Sequence, residues 1–272
     1  MIDVTEHYGL DATGQTDNAA PLAGMANDIA AMVKRGNPLP RLSFSEGIYE
    51  FSSWPDLAWD HIEIVADGAV TLKHTGAGDA VVFNAGGPPP SQGTRGRGSY
   101  VYFDNFTIAA NPNTKHALAL TCVHRSYIRA RVTGTPTNSG FAIYFSVLTE
   151  LDNPIMEGQA KPTCTGIMID QFNGFQTTAC RINNPVIGGC NVGIHMRNAG
   201  GCAIHDGAVQ SCNTGTQIDV GGANRFMGTW FEGNAVDAVT GSGAHDNTLW
   251  LTTPGAFKGN LQGWNNQHRA LL

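Results

Sequence analysis

The sequence predicts an all-β solenoid of short stacked strands, closed at its N-terminal end by an α-helix. Three observations support this prediction: a 22-residue repeat, short apolar segments separated by Gly and Asn, and a helical pattern that precedes them. Strands this short and closely spaced do not suit an α/β fold, because each parallel crossover there needs a dozen or more residues.

A helix is predicted over residues 18–34. Asp17 can cap its first turn by accepting hydrogen bonds from free backbone N–H groups. Gly36 and Pro38 end the pattern, and apolar residues recur on one face of it: Leu22, Met25, Ala26, Ile29, Met32 and Val33. The end of a solenoid exposes apolar core and unpaired backbone, so we expect this helix to cover that end.

The first coil is predicted over residues 41–51, where RLSFSEGIYEF alternates between apolar and polar residues and turns at Glu46-Gly47. Short alternating segments of the same kind recur along the chain, at 80–83, 117–120, 141–145 and 166–170. Each coil buries its inner face only against its neighbours, at a spacing of roughly 4.8 Å between rungs.

The repeat is clearest from residue 180 onward, where equivalent residues lie 22 positions apart: Cys180 and Cys202, Ile182 and Ile204, Cys190 and Cys212. A third copy places three residues beneath Cys202, Ile204 and Val209, namely Asn224, Phe226 and Phe231. Equal offsets indicate a solenoid rather than a disulfide plan, so we expect buried, reduced cysteines. An all-β sandwich is the alternative, since it also contains many short strands.

The composition argues against several classes of protein. A hydrophobic content of 42% supports a packed core rather than a disordered chain. The net charge of −6 argues against a nucleic-acid partner, because phosphate contacts need a basic face. No apolar stretch approaches the roughly 20 residues that cross a bilayer, and the N-terminal residues do not form a secretory signal. The sequence contains neither HExxH nor Cys/His zinc spacing, so no metal or other cofactor is predicted.

Two N-terminal segments resemble a known superfamily. HYGLDATGQTDNAAPLAGMANDIAAM (7–32) is similar to the N-terminal motif of the pectate-lyase-like right-handed parallel β-helix proteins, where a Gly-Asp-rich turn with Thr-Asp leads into a capping helix. LSFSEGIYEFSS (42–53) resembles the coil that follows in those proteins. The resemblance implies a single-stranded right-handed parallel β-helix over 41–252, after an N-terminal motif and capping helix over 1–40. Residues 253–272 are then a C-terminal tail.

The same resemblance implies a class of function but not one chemistry. Polygalacturonase-type hydrolases carry Gly-Asp-Asp and Gly-His-Gly patterns, and neither occurs here. We also find no carboxylate cluster of the kind that binds calcium in pectate lyases. The chain is therefore most similar to a bacteriophage tailspike, a homotrimer that binds, and in many cases cleaves, the surface polysaccharide of a bacterial host.

Such a spike belongs to the virion tail, contacts phage tail or adaptor proteins, and is released by lysis without an export signal. Two alternatives stay open. The first is an extracellular, stand-alone polysaccharide hydrolase or lyase. The second is a structural or adhesive β-helix without catalytic activity.

A candidate site follows from aligning the strands at Gly166, Gly193 and Gly215. The alignment predicts two outward rows, one of Met168, His195 and Gln217 and one of Asp170, Arg197 and Asp219. Asp170 and Asp219 then lie two rungs apart, about 9–10 Å at the backbone, which suits the carboxylate pair of an inverting glycosidase. Arg197 between them favours the charged form of both, which does not suit a general acid. The alternative is a stabilising ladder of opposite charges.

Other candidate residues lie outside this alignment. The segment 148–165 is predicted to be a loop that lengthens one turn, and it holds three candidate acids or bases: Glu150, Asp152 and Glu157. Substrate binding is predicted for Arg197 and His195 and for three aromatic residues, since sugars stack on flat aromatic faces: Tyr144, Trp54 and Trp59. For the loop the alternative is an ordinary polar connection, and for the aromatic residues it is packing.

Overall fold

The computed structural model describes residues 1–35, 39–55, 57, 61–84, 100–157 and 161–252, and it confirms the predicted all-β fold. The chain forms a right-handed parallel β-helix of about 8 turns with two helices at its N-terminal end. The predicted tail at 253–272 lies outside the described residues.

The N-terminal end is covered by helices α1 (Val4–Tyr8) and α2 (Ala19–Lys34). Leu22, Met25 and Ile29 of α2 are buried in the core, as the helical pattern predicted. Asp17 accepts a hydrogen bond from the backbone N–H of Ala19 at 3.0 Å, which confirms its capping role. Neither helix is long and apolar enough to cross a membrane.

The strands follow one another around the solenoid. In chain order they are β1 (Ile2–Asp3), β2 (Arg41–Phe51), β3 (His61–His74), β4 (Val81–Asn84), β5 (Tyr100–Ala110), β6 (His116–Thr121), β7 (Tyr127–Gly134), β8 (Ser139–Tyr144), β9 (Glu150–Asp152), β10 (Ile155–Met156), β11 (Lys161–Asp170), β12 (Thr177–Thr178), β13 (Arg181–Asn183), β14 (Val186–Gly188), β15 (Cys190–Met196), β16 (Ala199–Gly200), β17 (Ala203–His205), β18 (Ala208–Gln210), β19 (Thr214–Gly222), β20 (Arg225–Glu232), β21 (Val236–His245) and β22 (Thr248–Thr252).

Within the described ranges these strands form three parallel sheets. A thirteen-stranded sheet contains β1, β2, β3, β5, β7, both short strands of each later coil, β20 and β22. A seven-stranded sheet runs in the order β21-β19-β15-β11-β8-β6-β4, and a small third sheet pairs β12 with β16. The 22-residue offset sets the register, since Ile182 pairs with Ile204 and Ile204 pairs with Phe226. The predicted stacking of equivalent residues is therefore confirmed.

Two columns of left-handed residues form corners of the solenoid. The first consists of Arg125, Leu148, Ala179, Gly201 and Ala223, with φ between 53° and 64°. Successive coils are joined there by backbone hydrogen bonds, such as the one from Ala179 N to the Gly200 oxygen at 3.0 Å. The second column separates the two short strands of each later coil, and Asn and Asp suit it because their side chains tolerate this backbone region: Asn153, Asn184 and Asp206.

Two buried polar columns lie beside these corners. Cys180 is next to Cys202, and Asn224 accepts a hydrogen bond from Cys202 N at 3.0 Å through Oδ1. In the second column, Asn234 Oδ1 accepts a hydrogen bond from Cys212 N at 2.9 Å. All six cysteines are buried, as the sequence predicted. The columns satisfy backbone groups that would otherwise be buried without a partner.

The longer coil between Gly166 and Gly193 differs from the prediction. Ile169 pairs with Met196 and Thr177 pairs with Ala199, so the five extra residues lie between Ile169 and Thr177. They form a turn at Asn173-Gly174 in which Phe172 and Phe175 exchange backbone hydrogen bonds at 3.0 Å. The predicted loop at 148–165 instead contains β9, β10 and the start of β11, because this segment continues the sheets.

Candidate functional site

A row of polar side chains crosses the outer face of the seven-stranded sheet. Tyr144 pairs in register with Asp170, and the next two strands place Arg197 and Asp219 in the same line. His195 lies on β15, two residues before Arg197, so its side chain also points outward. We call these five residues the polar row. The structure therefore brings together five of the predicted site residues, and among them Asp170, Arg197 and Asp219 follow the order that the glycine alignment gave.

Asp170 and Arg197 form an ion pair in the middle of the row. The Arg197 Nη1 atom lies 3.3 Å from Asp170 Oδ2, and the side-chain exposures are 52% for Arg197 and 16% for Asp170. Asp170 Oδ1 also accepts a hydrogen bond from Gln171 N at 2.8 Å. The carboxylate is thus fixed by two partners, while most of the guanidinium is free to meet a ligand.

Asp219 has partners other than Arg197. His195 Nε2 lies 2.8 Å from Asp219 Oδ2, and Gln217 Nε2 donates to Asp219 Oδ1 at 2.7 Å. The predicted unbroken Asp–Arg–Asp ladder is therefore wrong in its second half. The reason is that the neighbouring outward row supplies a histidine and a glutamine that are closer to this carboxylate.

The Tyr144 end of the row contains a histidine that the sequence analysis missed. His116 Nε2 lies 3.1 Å from the Tyr144 hydroxyl and 3.4 Å from Asn138 Nδ2, and His116 Nδ1 lies 2.6 Å from Ser139 Oγ. Two donors facing Nε2 favour a neutral imidazole with its proton on Nδ1. Aligning 116–121 with 139–144 places Thr121 beside Tyr144 and His116 beside Ser139, so His116 meets the row only through the long Tyr144 side chain.

Burial controls the protonation of this pair. It lowers the pKa of His116 to about 4, with a smaller lowering by Lys115 and an opposing effect of Asp79. It raises the pKa of Tyr144 to about 12, and the negative charges of Asp79 and Asp170 act in the same direction. At neutral pH the pair therefore consists of a protonated phenol that donates to a neutral imidazole.

We expect the free energy of unfolding to fall as the pH is lowered from about 6.5 to about 4, partly through His116. Folded His116 stays neutral in this window whereas the unfolded residue takes up a proton, so acid stabilises the unfolded state; above the unfolded pKa the effect disappears. Denaturant titrations between about pH 7 and about pH 4.5 should show a shallower dependence for His116→Gln than for wild type. An identical slope would contradict the buried, neutral histidine.

Exposed aromatic rings flank the row. The Phe145 and Phe175 rings lie 5.3 Å apart, and 43% of Phe175 is exposed. Phe145 directly follows Tyr144, and Phe175 is carried by the turn that follows Asp170. The five-residue extension therefore adds one exposed apolar ring, Phe175, beside the polar row.

Three predicted carboxylates lie elsewhere. Glu150 and Asp152 belong to β9 of the thirteen-stranded sheet, where Glu150 Oε1 accepts from Asn183 Nδ2 at 2.6 Å and Asp152 Oδ2 accepts from the Tyr127 hydroxyl at 2.8 Å. Glu157 follows β10 and lies 4.0 Å from Arg131. They do not join the polar row, because strand formation by 150–156 places them on another sheet.

One of the two tryptophans predicted to stack on a sugar is buried. Trp54 is 9% exposed and packs against Phe51 and Phe83, so its predicted exposure is wrong; it contributes to the apolar core next to the first coil. Trp59 lies outside the described residues. In the described ranges no group of three His, Cys, Asp or Glu side chains is arranged to hold a metal ion.

Comparison with known proteins supports the fold alone. No family model and no curated protein matches the chain. Three solved structures are similar: PfbA, a surface adhesin of Streptococcus pneumoniae (TM-score 0.65, 12% identity, 95% of this chain and 73% of that chain), ORF18 of Geobacillus virus E2 (0.54, 14%, 99% and 62%) and the A-module of the Azotobacter vinelandii mannuronan C-5 epimerase AlgE6 (0.55, 11%, 100% and 96%). The chain thus shares its β-helix with an adhesin, a phage protein and a polysaccharide-modifying enzyme.

Proposed function

We propose that this protein binds a bacterial surface polysaccharide along the polar row. The observation that carries the proposal is the line of Tyr144, Asp170, Arg197 and Asp219 on consecutive rungs of one sheet. A linear array of hydrogen-bonding groups with rungs about 4.8 Å apart can contact successive units of an extended chain. The exposed Phe175 ring offers a face on which a sugar can stack.

The proposed setting is a homotrimeric bacteriophage spike in the virion tail, joined to phage tail or adaptor proteins. Its support is the N-terminal resemblance together with a phage protein of the same fold. The alternatives are an extracellular enzyme and an adhesive β-helix. The similarity to the epimerase module favours the first, and the similarity to the surface adhesin favours the second. Light scattering separates them first, because a stable trimer is expected for the spike and a monomer for the free enzyme.

Cleavage of the bound glycan by a hydrolase or lyase reaction is a second candidate function. The observation that favours it is the hydrogen bond between Tyr144 and the neutral His116, since Tyr and His are both side chains that take part in general acid–base catalysis. Incubation with lipopolysaccharide or capsule should then release reducing ends, and a lyase would also produce unsaturated sugars that absorb in the ultraviolet. Binding without either product would leave recognition as the function.

Arg197→Gln should weaken glycan binding at least tenfold, because a charge-assisted hydrogen bond contributes roughly 1.5–3 kcal/mol. The measurement is the dissociation constant for whichever bacterial polysaccharide binds wild type in a panel of O-chains and capsules. Arg41→Gln is the matched control, since Arg41 is an exposed arginine on β2 at the far end of the other large sheet. Full affinity in both Arg197→Gln and Asp219→Asn would refute the proposed site.

A further inference from the structure

A groove lies on the thirteen-stranded sheet, on a different face from the polar row. We propose that a groove beside the first left-handed corner binds an oligosaccharide that carries acidic groups. The groove has a volume of about 590 Å³, and the residues that define it include Arg181, Ala203, His205, Ala223, Arg225 and Met227. This volume lies in the range of about 300–1,000 Å³ that is typical of small-molecule sites.

The repeat itself creates the depression. Arg181 pairs with Ala203 and Ala203 pairs with Arg225, so one short side chain lies between two long ones in the same outward column. The other wall of the groove is formed by corner residues, and it is shallow because none of them has a long side chain: Ala179, Gly201 and Ala223. Because the spacing between rungs is fixed by backbone hydrogen bonds, the two arginines are about 9–10 Å apart at the backbone.

The groove is electropositive. Arg181 and Arg225 are exposed, and no residue that lines the groove is acidic. Among the described residues, neither guanidinium has an ion pair or a side-chain hydrogen bond, unlike Arg129, which is held by Asp104. Glu150 on the rung next to Arg181 accepts from Asn183 instead. Two guanidinium groups that make no ion pair with a described residue favour an anion in a concave site.

The shape and borders indicate an acidic saccharide. A guanidinium matches the planar carboxylate of a uronic acid, and two of them two rungs apart can meet two acidic groups of one chain. Met227 and Leu148 give the groove an apolar border, and the exposed Trp250 lies one rung beyond Met227. A nucleic acid fits less well, because it needs a broad basic surface and this protein has a net charge of −6.

The test uses isothermal titration calorimetry on the full chain with trigalacturonate, with neutral cellotriose and with a short single-stranded oligonucleotide. Trigalacturonate should bind and weaken with added salt, whereas cellotriose should not bind measurably. Arg181→Gln and Arg225→Gln should each weaken binding at least tenfold, and the double variant should abolish it. Arg41→Gln is the matched control and should bind like wild type, because Arg41 is exposed on the same sheet but five strands away.

Arg197→Gln separates the groove from the polar row, since it should leave trigalacturonate binding unchanged even if it abolishes polysaccharide binding. The inference is overturned if trigalacturonate does not bind, if cellotriose or the oligonucleotide binds equally well, or if the double variant binds like wild type. Circular dichroism of each variant should match wild type, because both arginines are exposed and contribute no core contact.

Discussion

Asn224→Ala is expected to lower the free energy of unfolding by about 3–5 kcal/mol, because several buried backbone and side-chain groups lose their partners, each at a cost of about 1–3 kcal/mol. Asn224 is completely buried. Its Oδ1 accepts from Cys202 N at 3.0 Å, and its Nδ2 donates to the Ala199 oxygen and to Asn247 Oδ1, each at 3.0 Å. Alanine removes these three hydrogen bonds from Cys202 N, the Ala199 oxygen and Asn247 Oδ1, and of these groups Asn247 Oδ1 keeps its second hydrogen bond, from the backbone N of residue 224 at 3.0 Å.

Asn213→Ala is the matched control, because Asn213 also donates to an asparagine of a neighbouring coil but does so at the surface. Its Nδ2 donates to Asn191 Oδ1 at 3.1 Å, and Asn213 itself is exposed. We expect a change within about 0.5 kcal/mol for this variant. Urea denaturation followed by circular dichroism measures both. An equal loss of stability in the two variants would show that the burial of Asn224 and its partners is not the cause of the loss.

Gly193→Ala is the second large effect, with an expected loss of about 2–3 kcal/mol from overpacking. Gly193 lies in the inward stack with Gly166 and Gly215. A Cβ there would overlap Val209 Cγ1 and lie 2.6 Å from the Gly215 carbonyl oxygen. The first clash is with a buried side chain that is tightly packed, and the second is with backbone that cannot move without disturbing the next rung.

Gly24→Ala provides the control for the glycine substitution itself. A Cβ at Gly24, in the exposed face of α2, would meet nothing within 4 Å, so this variant should be stabilised by up to about 1 kcal/mol. Combining Gly193→Ala with Val209→Ala should not restore wild-type stability, since the backbone contact remains. A thermal midpoint of Gly193→Ala equal to that of wild type would contradict the tight stack.

The sequence located most of the polar row correctly, because glycines that fit the crowded interior also mark the register. Once Gly166, Gly193 and Gly215 were aligned, the outward positions of Asp170, Arg197 and Asp219 followed from strand alternation alone. His116 was missed because its strand position aligns with Ser139, and only the length of the Tyr144 side chain brings the two residues together. Glu150 and Asp152 were misplaced because apolar and polar residues in 148–157 were taken for a loop, whereas backbone pairing with β13 makes a strand of them.

By itself the sequence determined that equivalent residues stack and that a helix covers the first coil, because rung-to-rung hydrogen bonding forces a constant offset and an uncovered end is unfavourable. Only the tertiary structure decided which polar neighbours pair, as with His195 rather than Arg197 at Asp219. It also decided where the extra residues of the long coil protrude and where Arg181 and Arg225 enclose a groove. These features depend on side-chain reach and on corner geometry between coils, and an offset along the chain specifies neither.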